Sequence, residues 1–149
     1  MDQGTEQNSA TQTEKLLGLF AHLSVFFGRL IIPFIIWVVN RKKSKFVTFH
    51  SLQALFFHLA LTFVNVIVGM FGGVILGIYS GITKHNLDKV SNWTPFQIII
   101  LVAIAIFVFI NLIYSFVVGV MNSLSAYQGE LKKYPIIGNI VYKKVYGLN

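Results

Sequence analysis

The run from residue 46 to residue 83 constrains this chain more than any other feature. It holds 38 residues without Asp, Glu, Lys, Arg or Pro, directly behind a basic cluster. Small and polar residues recur along it every three or four positions: Ser51, Ala54, His58, Thr62, Asn65, Gly69, Gly73, Gly77, Ser80 and Gly81. The other positions are mostly Phe, Leu, Val and Ile, so we expect the small face to contact protein and the apolar face to contact lipid. The stripe therefore predicts a membrane protein.

The composition agrees with this prediction. The chain has 149 residues, of which 55% are hydrophobic and 11% charged, and its mean hydropathy is +0.70. Soluble domains carry about 25% charged residues. A helix crosses a bilayer with about 20 apolar residues, and three segments are long enough, at about 16–39, 59–82 and 95–121. We predict an all-α integral membrane protein with three transmembrane helices plus cytoplasmic interfacial amphipathic helices.

The second apolar run is too long for a single span. As one helix, 46–82 would measure about 55 Å, against a hydrocarbon core of about 30 Å. We predict that 46–58 lies in the cytoplasmic interface before the chain turns inward to cross. A four-span alternative would place the Lys-rich C-terminal tail outside and lacks a polar turn near residues 65–73, so we disfavour it.

The predicted organisation has three parts. A polar tail covers residues 1–15, a helical membrane domain covers 16–126, and a basic amphipathic tail covers 127–149. In the last part, apolar residues alternate with Lys pairs, as in a helix that lies on the inner leaflet.

The cations predict the orientation in the membrane. They concentrate in the first connection and the C-terminal tail, where the predicted contacts to anionic headgroups are Arg41, Lys42, Lys43, Lys45, Lys132 and Lys133. The positive-inside rule makes both segments cytoplasmic. With three spans, the N-terminus is then outside, and we expect a bacterial cytoplasmic membrane. Attraction to anionic lipid explains the net charge of +7 without a nucleic-acid partner.

Arg29 is the most unusual intramembrane residue, since it falls near the middle of the first predicted span. A charge at that depth costs about 2.5–3.5 kcal/mol on insertion scales, and no Asp or Glu lies in any predicted span. Matching depths predicts a polar cluster of Arg29 with Asn65, Asn111 and Tyr114. Three interpretations stay open: Arg29 snorkels to an interface, binds an anion or lipid headgroup, or forms a structural polar clasp.

Gly69, Gly73, Gly77 and Gly81 form three consecutive GxxxG units. Such glycines let a neighbouring backbone approach closely, which predicts a helix-packing face. We favour packing within the chain, and self-association or packing against another membrane protein is the alternative.

The sequence gives no basis for predicting catalysis, a metal or a cofactor. It contains no carboxylate pair, HExxH motif, nucleophile elbow or phosphate-binding glycine loop. His50 and His58 lie roughly on one helix face, and His22 and His85 are expected at the other side of the membrane. No acidic or Cys ligand joins either pair, and the chain has no cysteine. We predict a non-enzyme.

Four segments resemble a known family. They are AHLS at 21–24, IIPFIIWVVNRKKSKFV at 31–47, TFHSLQALFF at 48–57 and GELKKYP at 129–135. Together they resemble the Tic-twenty-like family of small bacterial membrane proteins, over about residues 17–137. That family is largely of unknown function. It takes in the MamF-like proteins of magnetosome membranes and is distantly similar to a chloroplast envelope import component.

The resemblance implies a set of family positions, and the predicted topology suggests a contact between some of them. The matching residues are His22, Pro33, Trp37, Phe49, His50, Gln53, Ala54, Gly129, Glu130, Tyr134 and Pro135. On the predicted topology His50, Gln53, Glu130, Tyr134 and Pro135 share the cytoplasmic face. We expect Glu130 to contact His50, Gln53 or the basic turn, and so to clasp the interfacial helix to the end of the third span.

Three functions remain open. The chain is expected to be a scaffold or accessory subunit of a membrane complex. The alternatives are a homo-oligomeric pore or carrier for a small anion that uses Arg29, and a protein that binds anionic lipid.

Overall fold

The computed structural model describes residues 10–25, 27–83 and 93–147, and within these ranges the chain is helical without strands. Five helices follow one another: α1 (Gln12–Leu23), α2 (Ile31–Asn40), α3 (Lys45–Thr83), α4 (Pro95–Gln128) and α5 (Ile137–Tyr146). The all-helical prediction is confirmed for this part of the chain.

The first predicted span, 16–39, is wrong because it divides into α1 and α2. These helices have 12 and 10 residues, or about 18 and 15 Å, which is too short for a hydrocarbon core of about 30 Å. Pro33 explains the break: its ring would clash with the carbonyl of residue 29 in a continuous helix. In α2 it occupies the first turn, where its missing N–H costs nothing.

Two helices of the described residues are long and apolar enough to cross a membrane, not three. They are α3 and α4, which have 39 and 34 residues, and an 18-residue stretch of each has a mean hydropathy of 2.3 and 2.9, respectively. Only 6% of each stretch is buried by the protein itself, so these are not the core helices of a soluble domain. The expected external N-terminus depended on three spans and loses that basis.

The expected turn after the interfacial segment 46–58 is also absent, because α3 continues unbroken from Lys45 to Thr83. The segment is helical, but it is the first part of the long helix. Its side chains are mostly buried, from Phe46 to Ala54. Tertiary packing thus uses the positions that the sequence indicated were interfacial.

The chain divides into two compact units, and α3 and α4 each contribute residues to both. Unit 1 comprises Met1–Ala60 and Tyr114–Asn149, and unit 2 comprises Leu61–Ile113.

The core of unit 1 has two apolar clusters. One contains Ala21, Ile36, Phe46, Val47 and Ala54. The other contains Phe49, Leu52 and Val141, with Trp37, Ile137, Tyr142 and Val145 packed against it. The amphipathic helix predicted in the C-terminal tail is therefore present as α5, and it uses Val141 to join this second cluster.

Unit 2 consists of the apolar parts of α3 and α4. Thr94 caps α4, since its backbone N–H donates to Gln97 Oε1 at 2.7 Å and Gln97 N donates to Thr94 Oγ1 at 3.5 Å. Gln97 Nε2 also donates to Ser80 Oγ at 3.0 Å, and the rings of Tyr79 and Phe96 lie 4.7 Å apart. These contacts join the two helices near the 83–95 connection.

Candidate functional site

The most distinctive polar group in unit 1 is a buried chain of three side chains. His22 Nδ1 lies 2.9 Å from Tyr134 Oη, and His22 Nε2 lies 3.0 Å from His50 Nδ1. His22 and His50 are fully buried, and Tyr134 is 2% exposed. These hydrogen bonds connect α1, α3 and the segment before α5, which are distant in sequence.

Gln53 extends this group one turn along α3, and we call His22, His50, Gln53 and Tyr134 the polar clasp. Gln53 Nε2 donates to the carbonyl of Lys132 at 2.9 Å, and its Oε1 accepts from the backbone N–H of Tyr134 at 3.0 Å. One fully buried amide thus satisfies a donor and an acceptor of the segment before α5. A buried amide bonded in this way fixes the register of that segment on α3.

Close packing of small residues brings the clasp together. A Cβ at Gly18 would lie 3.2 Å from Ala126 Cβ, and one at Gly119 would lie 3.3 Å from the carbonyl oxygen of His22. These contacts let α1 pass close to α4. The ring of Phe57, 4.5 Å from that of Tyr134, covers the other side.

Burial sets the electrostatics of the clasp. It lowers the pKa of His22 well below the usual value of about 6.5, and the neighbouring His50 and His58 lower it further. Burial also raises the pKa of the Tyr134 phenol, with Tyr114 adding to the shift. His22 is therefore a neutral imidazole that donates through one ring nitrogen and accepts through the other.

The clasp is suited to holding segments together. Its members are 0–2% exposed, so a substrate cannot reach them. Their polar side-chain atoms other than His50 Nε2 bond to one another or to the backbone. A general acid or base must lie within hydrogen-bond reach of its substrate. The geometry therefore fits a structural role.

One expectation for the histidines changes. His22 was expected across the membrane from His50, but the two rings are in contact, with centroids 5.2 Å apart. His85 lies outside the described residues. No group of three or more His, Cys, Asp or Glu suited to a metal occurs in the part of the chain that the structure describes.

The structure places the predicted cytoplasmic motif in one region, with a different member making the contact. Gln53 and Tyr134 bond directly, whereas the Glu130 side chain is exposed and its main chain lies beside the His50 ring. Pro135 is exposed just before α5, and Ile136 there has φ of 63°. The expected clasp between α3 and the segment after α4 thus runs through Gln53, not the Glu130 carboxylate.

The predicted cluster around Arg29 is divided between the units. Arg29 and Tyr114 belong to unit 1, and Asn65 and Asn111 to unit 2. In unit 1, Arg29 Nη2 donates to Ser115 Oγ across a long 3.5 Å. Asn111 Nδ2 donates to its own helix, to the carbonyl of Phe107 at 2.9 Å. The four-residue site stays a prediction.

The glycine face has no partner within reach among the described residues. A Cβ added at Gly69, Gly73, Gly77 or Gly81 would meet nothing within 4 Å. Gly72, one position away from the series, is the buried glycine, and a Cβ there would contact Ile104. The packing expected within the chain therefore occurs at Gly72, and association through the four-glycine face stays a prediction.

The predicted headgroup cations separate into two places. The four from the first connection line a groove in unit 1 together with Lys144. Lys133 lies instead over the Tyr142 ring, 3.9 Å from its centroid, and Lys132 is exposed.

Sequence reasoning missed the bonds of His22 and the role of Lys144. His22 was noted among the histidines and through the resemblance, but no spacing pattern connects it to Tyr134. For Lys144 a signal existed: it directly precedes Val145, one α5 turn after the buried Val141, which places it beside the apolar face of α5.

Comparison with known proteins identifies a family that matches most of the chain. The profile of the MamF/MmsF family, described as the magnetosome magnetite crystal formation protein family, matches residues 13–141. No curated protein and no solved structure matches the chain. The matched residues include every described helix except the first residue of α1 and the end of α5.

Proposed function

Because the chain belongs to the MamF/MmsF family of magnetosome magnetite crystal formation proteins, we propose that it is a non-enzymatic accessory protein of a magnetosome membrane. In this proposal unit 2 anchors the protein in the bilayer. Unit 1 is a preformed scaffold that presents its surface to lipid and to other membrane proteins.

The polar clasp is the observation that carries the proposal. It uses the chemically versatile side chains of unit 1, two histidines, a tyrosine and a glutamine, in buried hydrogen bonds. An enzyme would keep such groups open to a cleft. A scaffold needs them where they are, because the clasp joins α1, α3 and the segment before α5.

Exposed apolar side chains support the role of unit 2 as an anchor. Large hydrophobic residues are more than half exposed along both helices: Phe63, Met70, Phe71, Val74, Ile78, Ile82, Ile99, Ile106, Phe109 and Ile110. On a soluble protein such a surface would be an aggregation liability. In a bilayer these side chains contact acyl chains.

We further propose that both termini and unit 1 lie on the cytoplasmic side. Two spans return the chain to the side from which it started. The cations of unit 1, in the connection before α3 and in α5, make that side cytoplasmic by the positive-inside rule. The connection between the spans, with Lys84, Asp88 and Lys89, carries less net charge.

An organising role in crystal formation fits the acidic residues better than direct iron binding. The two carboxylates among the described residues belong to Glu14 and Glu130. Glu14 accepts from the Thr11 backbone N–H at 2.7 Å in a capping box at the start of α1. Hard metal ions prefer several oxygen ligands in one place, which this pair does not provide.

The proposal can be tested in a magnetosome-forming bacterium whose own MamF/MmsF member has been deleted. We expect the tagged chain to co-fractionate with magnetosome membranes, to restore crystal size, and to cross-link to other membrane proteins there. A Tyr134→Phe/His22→Ala variant should restore crystal size poorly, and Tyr127→Phe, which changes an exposed tyrosine, should match the wild type. Wild-type protein that stays outside magnetosome membranes and leaves crystals unchanged would contradict the proposal.

A further inference from the structure

Unit 1 contains a groove with two chemically different walls. It has a volume of about 780 Å³ and lies among α2, the first turns of α3 and the end of α5. Its floor is apolar, with Trp37, Leu52 and Phe56. We call this feature the basic groove because five cations surround the floor: Arg41, Lys42, Lys43, Lys45 and Lys144.

The floor is part of the folded core. Leu52 is buried in the second apolar cluster of unit 1, and Trp37 packs against that cluster. Phe56, by contrast, is 39% exposed. Because α2, α3 and α5 all contribute to the cluster, the floor is preformed.

The rim carries positive charge from three segments of the chain. Two cations are partly positioned by aromatic rings: the Arg41 guanidinium lies 5.8 Å from the centroid of Trp37, and Lys45 Nζ lies 5.7 Å from that of Tyr146. Lys42, Lys43 and Lys144 are exposed. The rim therefore combines two cations that lie near aromatic rings with three further exposed lysines.

No carboxylate lines the groove among the described residues. Glu14 lines a smaller neighbouring cavity with Lys43 and Lys45. Its oxygens accept from Thr11, and a hydrogen bond from Ser44 lowers the pKa of Glu14. One carboxylate beside five cations leaves a large excess of positive charge, which calls for an anionic occupant.

We propose that the basic groove binds an anionic phospholipid, with the phosphate at the cationic rim and the beginning of an acyl chain on the apolar floor. Inorganic phosphate would use the rim alone, and a neutral lipid would use the floor alone. An anionic phospholipid can interact with both the cationic rim and the apolar floor. A pocket of this size suits a headgroup and the beginning of an acyl chain. The inference requires only that the protein is in a membrane, so it does not depend on the accessory role.

Titration of the detergent-solubilised protein, followed by native mass spectrometry, tests this proposal. We expect phosphatidylglycerol to bind at least tenfold more tightly than phosphatidylcholine, since each cation near an anionic headgroup contributes appreciably. Inorganic phosphate at the same concentration should not displace phosphatidylglycerol. Equal binding of the two lipids, or displacement by inorganic phosphate, would overturn the proposal, and both results come from the wild type alone.

Two pairs of matched variants locate the site. Lys42→Gln/Lys43→Gln removes two charges from the rim, and Lys15→Gln/Lys143→Gln removes two charges of unit 1 that do not line the groove. We expect the rim variant to bind phosphatidylglycerol about tenfold more weakly than the control variant. Equal affinities for the two double variants would overturn the assignment to the groove.

A second pair of variants, both in α3, tests the apolar floor of the groove. Phe56→Ala shortens an exposed side chain in the groove, and Phe63→Ala shortens an exposed side chain in unit 2. We expect Phe56→Ala to weaken phosphatidylglycerol binding several-fold and Phe63→Ala to leave it unchanged. Equal binding by both variants would contradict an acyl chain on the floor.

Discussion

Tyr134 Oη lies 2.9 Å from Nδ1 of His22, although 112 residues separate the two side chains in the sequence. This hydrogen bond joins α1 to the segment before α5. It is buried from solvent on both sides, so removing either partner leaves a polar atom without compensation.

Tyr134→Phe should therefore destabilise unit 1. The variant keeps the ring and its packing against Phe57 but leaves His22 Nδ1 buried without its partner, at a cost of about 1–3 kcal/mol. Thermal unfolding in detergent, followed by circular dichroism, measures the effect. Tyr127→Phe is the control, since Tyr127 is 46% exposed, and equal melting temperatures for the two variants would contradict the role of the bond.

Gly138→Ala should destabilise unit 1 as well, for a steric reason. The added Cβ would lie 2.7 Å from Gln53 Oε1 and 2.7 Å from Lys133 Cα, and the second contact is with backbone that cannot rotate away. Gly73→Ala, where a Cβ meets nothing within 4 Å, should not lower the melting temperature of the monomer, since alanine is the better helix former. A lower melting temperature for Gly73→Ala would show that the glycine face is already packed.

Acidification should weaken the fold of unit 1 through His22. Burial lowers the pKa of His22 in the folded state, whereas the unfolded side chain titrates near 6.5. Below that pH the unfolded state binds more protons than the folded state. The free energy of unfolding is therefore highest above about pH 6.5 and decreases as the pH is lowered, by up to about 1.4 kcal/mol per pH unit for one group.

His50 and His58 face the same region, so the wild-type slope includes their contributions. The specific test compares denaturant unfolding of the wild type and His22→Gln between pH 7.5 and pH 5. The variant should have a shallower dependence on pH. Parallel curves would contradict the assignment to His22.

Arg29 should not support anion transport. Its guanidinium donates to Ser115 within unit 1, which suits a structural contact. We expect chloride flux from proteoliposomes to equal that from empty liposomes, with Arg29→Ala unchanged. Flux in the wild type that disappears in Arg29→Ala would favour the pore instead.

Composition and helical periodicity predicted the elements whose signals are local. The apolar windows of α3 and α4 and the alternating pattern of α5 each depend on neighbouring residues, and all three helices are present. The class of protein follows from these windows. The helix α3 is longer than one membrane crossing needs, because its residues from Phe46 to Ala54 are core positions of unit 1.

Features that depend on tertiary contacts could not be predicted in this way. The predicted span 16–39 assumed one helix, but the break between α1 and α2 changes the directions of His22 and Arg29 relative to each other. The contact of His22 with His50 arises only after α1 packs on α4 at Gly18 and Gly119. No periodicity in one segment encodes a partner 112 residues away.

The glycine series shows a further limit of sequence patterns. Gly69, Gly73, Gly77 and Gly81 form the regular motif, yet Gly72 is the glycine that contacts another helix. A one-position difference rotates a residue by about 100° around the helix. Periodicity indicates that a face of small residues exists, but the neighbouring helix decides which face is used.

The central claim is that two spans hold unit 1 on the cytoplasmic side of the membrane, and measuring the topology tests it most directly. The absence of cysteine makes the measurement simple. Single-cysteine variants Ala10→Cys, Asn86→Cys and Asn139→Cys would be treated, in intact cells with a permeabilised outer membrane, with a membrane-impermeant maleimide. Two spans with unit 1 on the cytoplasmic side predict labelling at position 86 alone, with positions 10 and 139 labelled only after lysis. Labelling of Ala10→Cys in intact cells, with Asn139→Cys protected, would restore three spans and contradict this account.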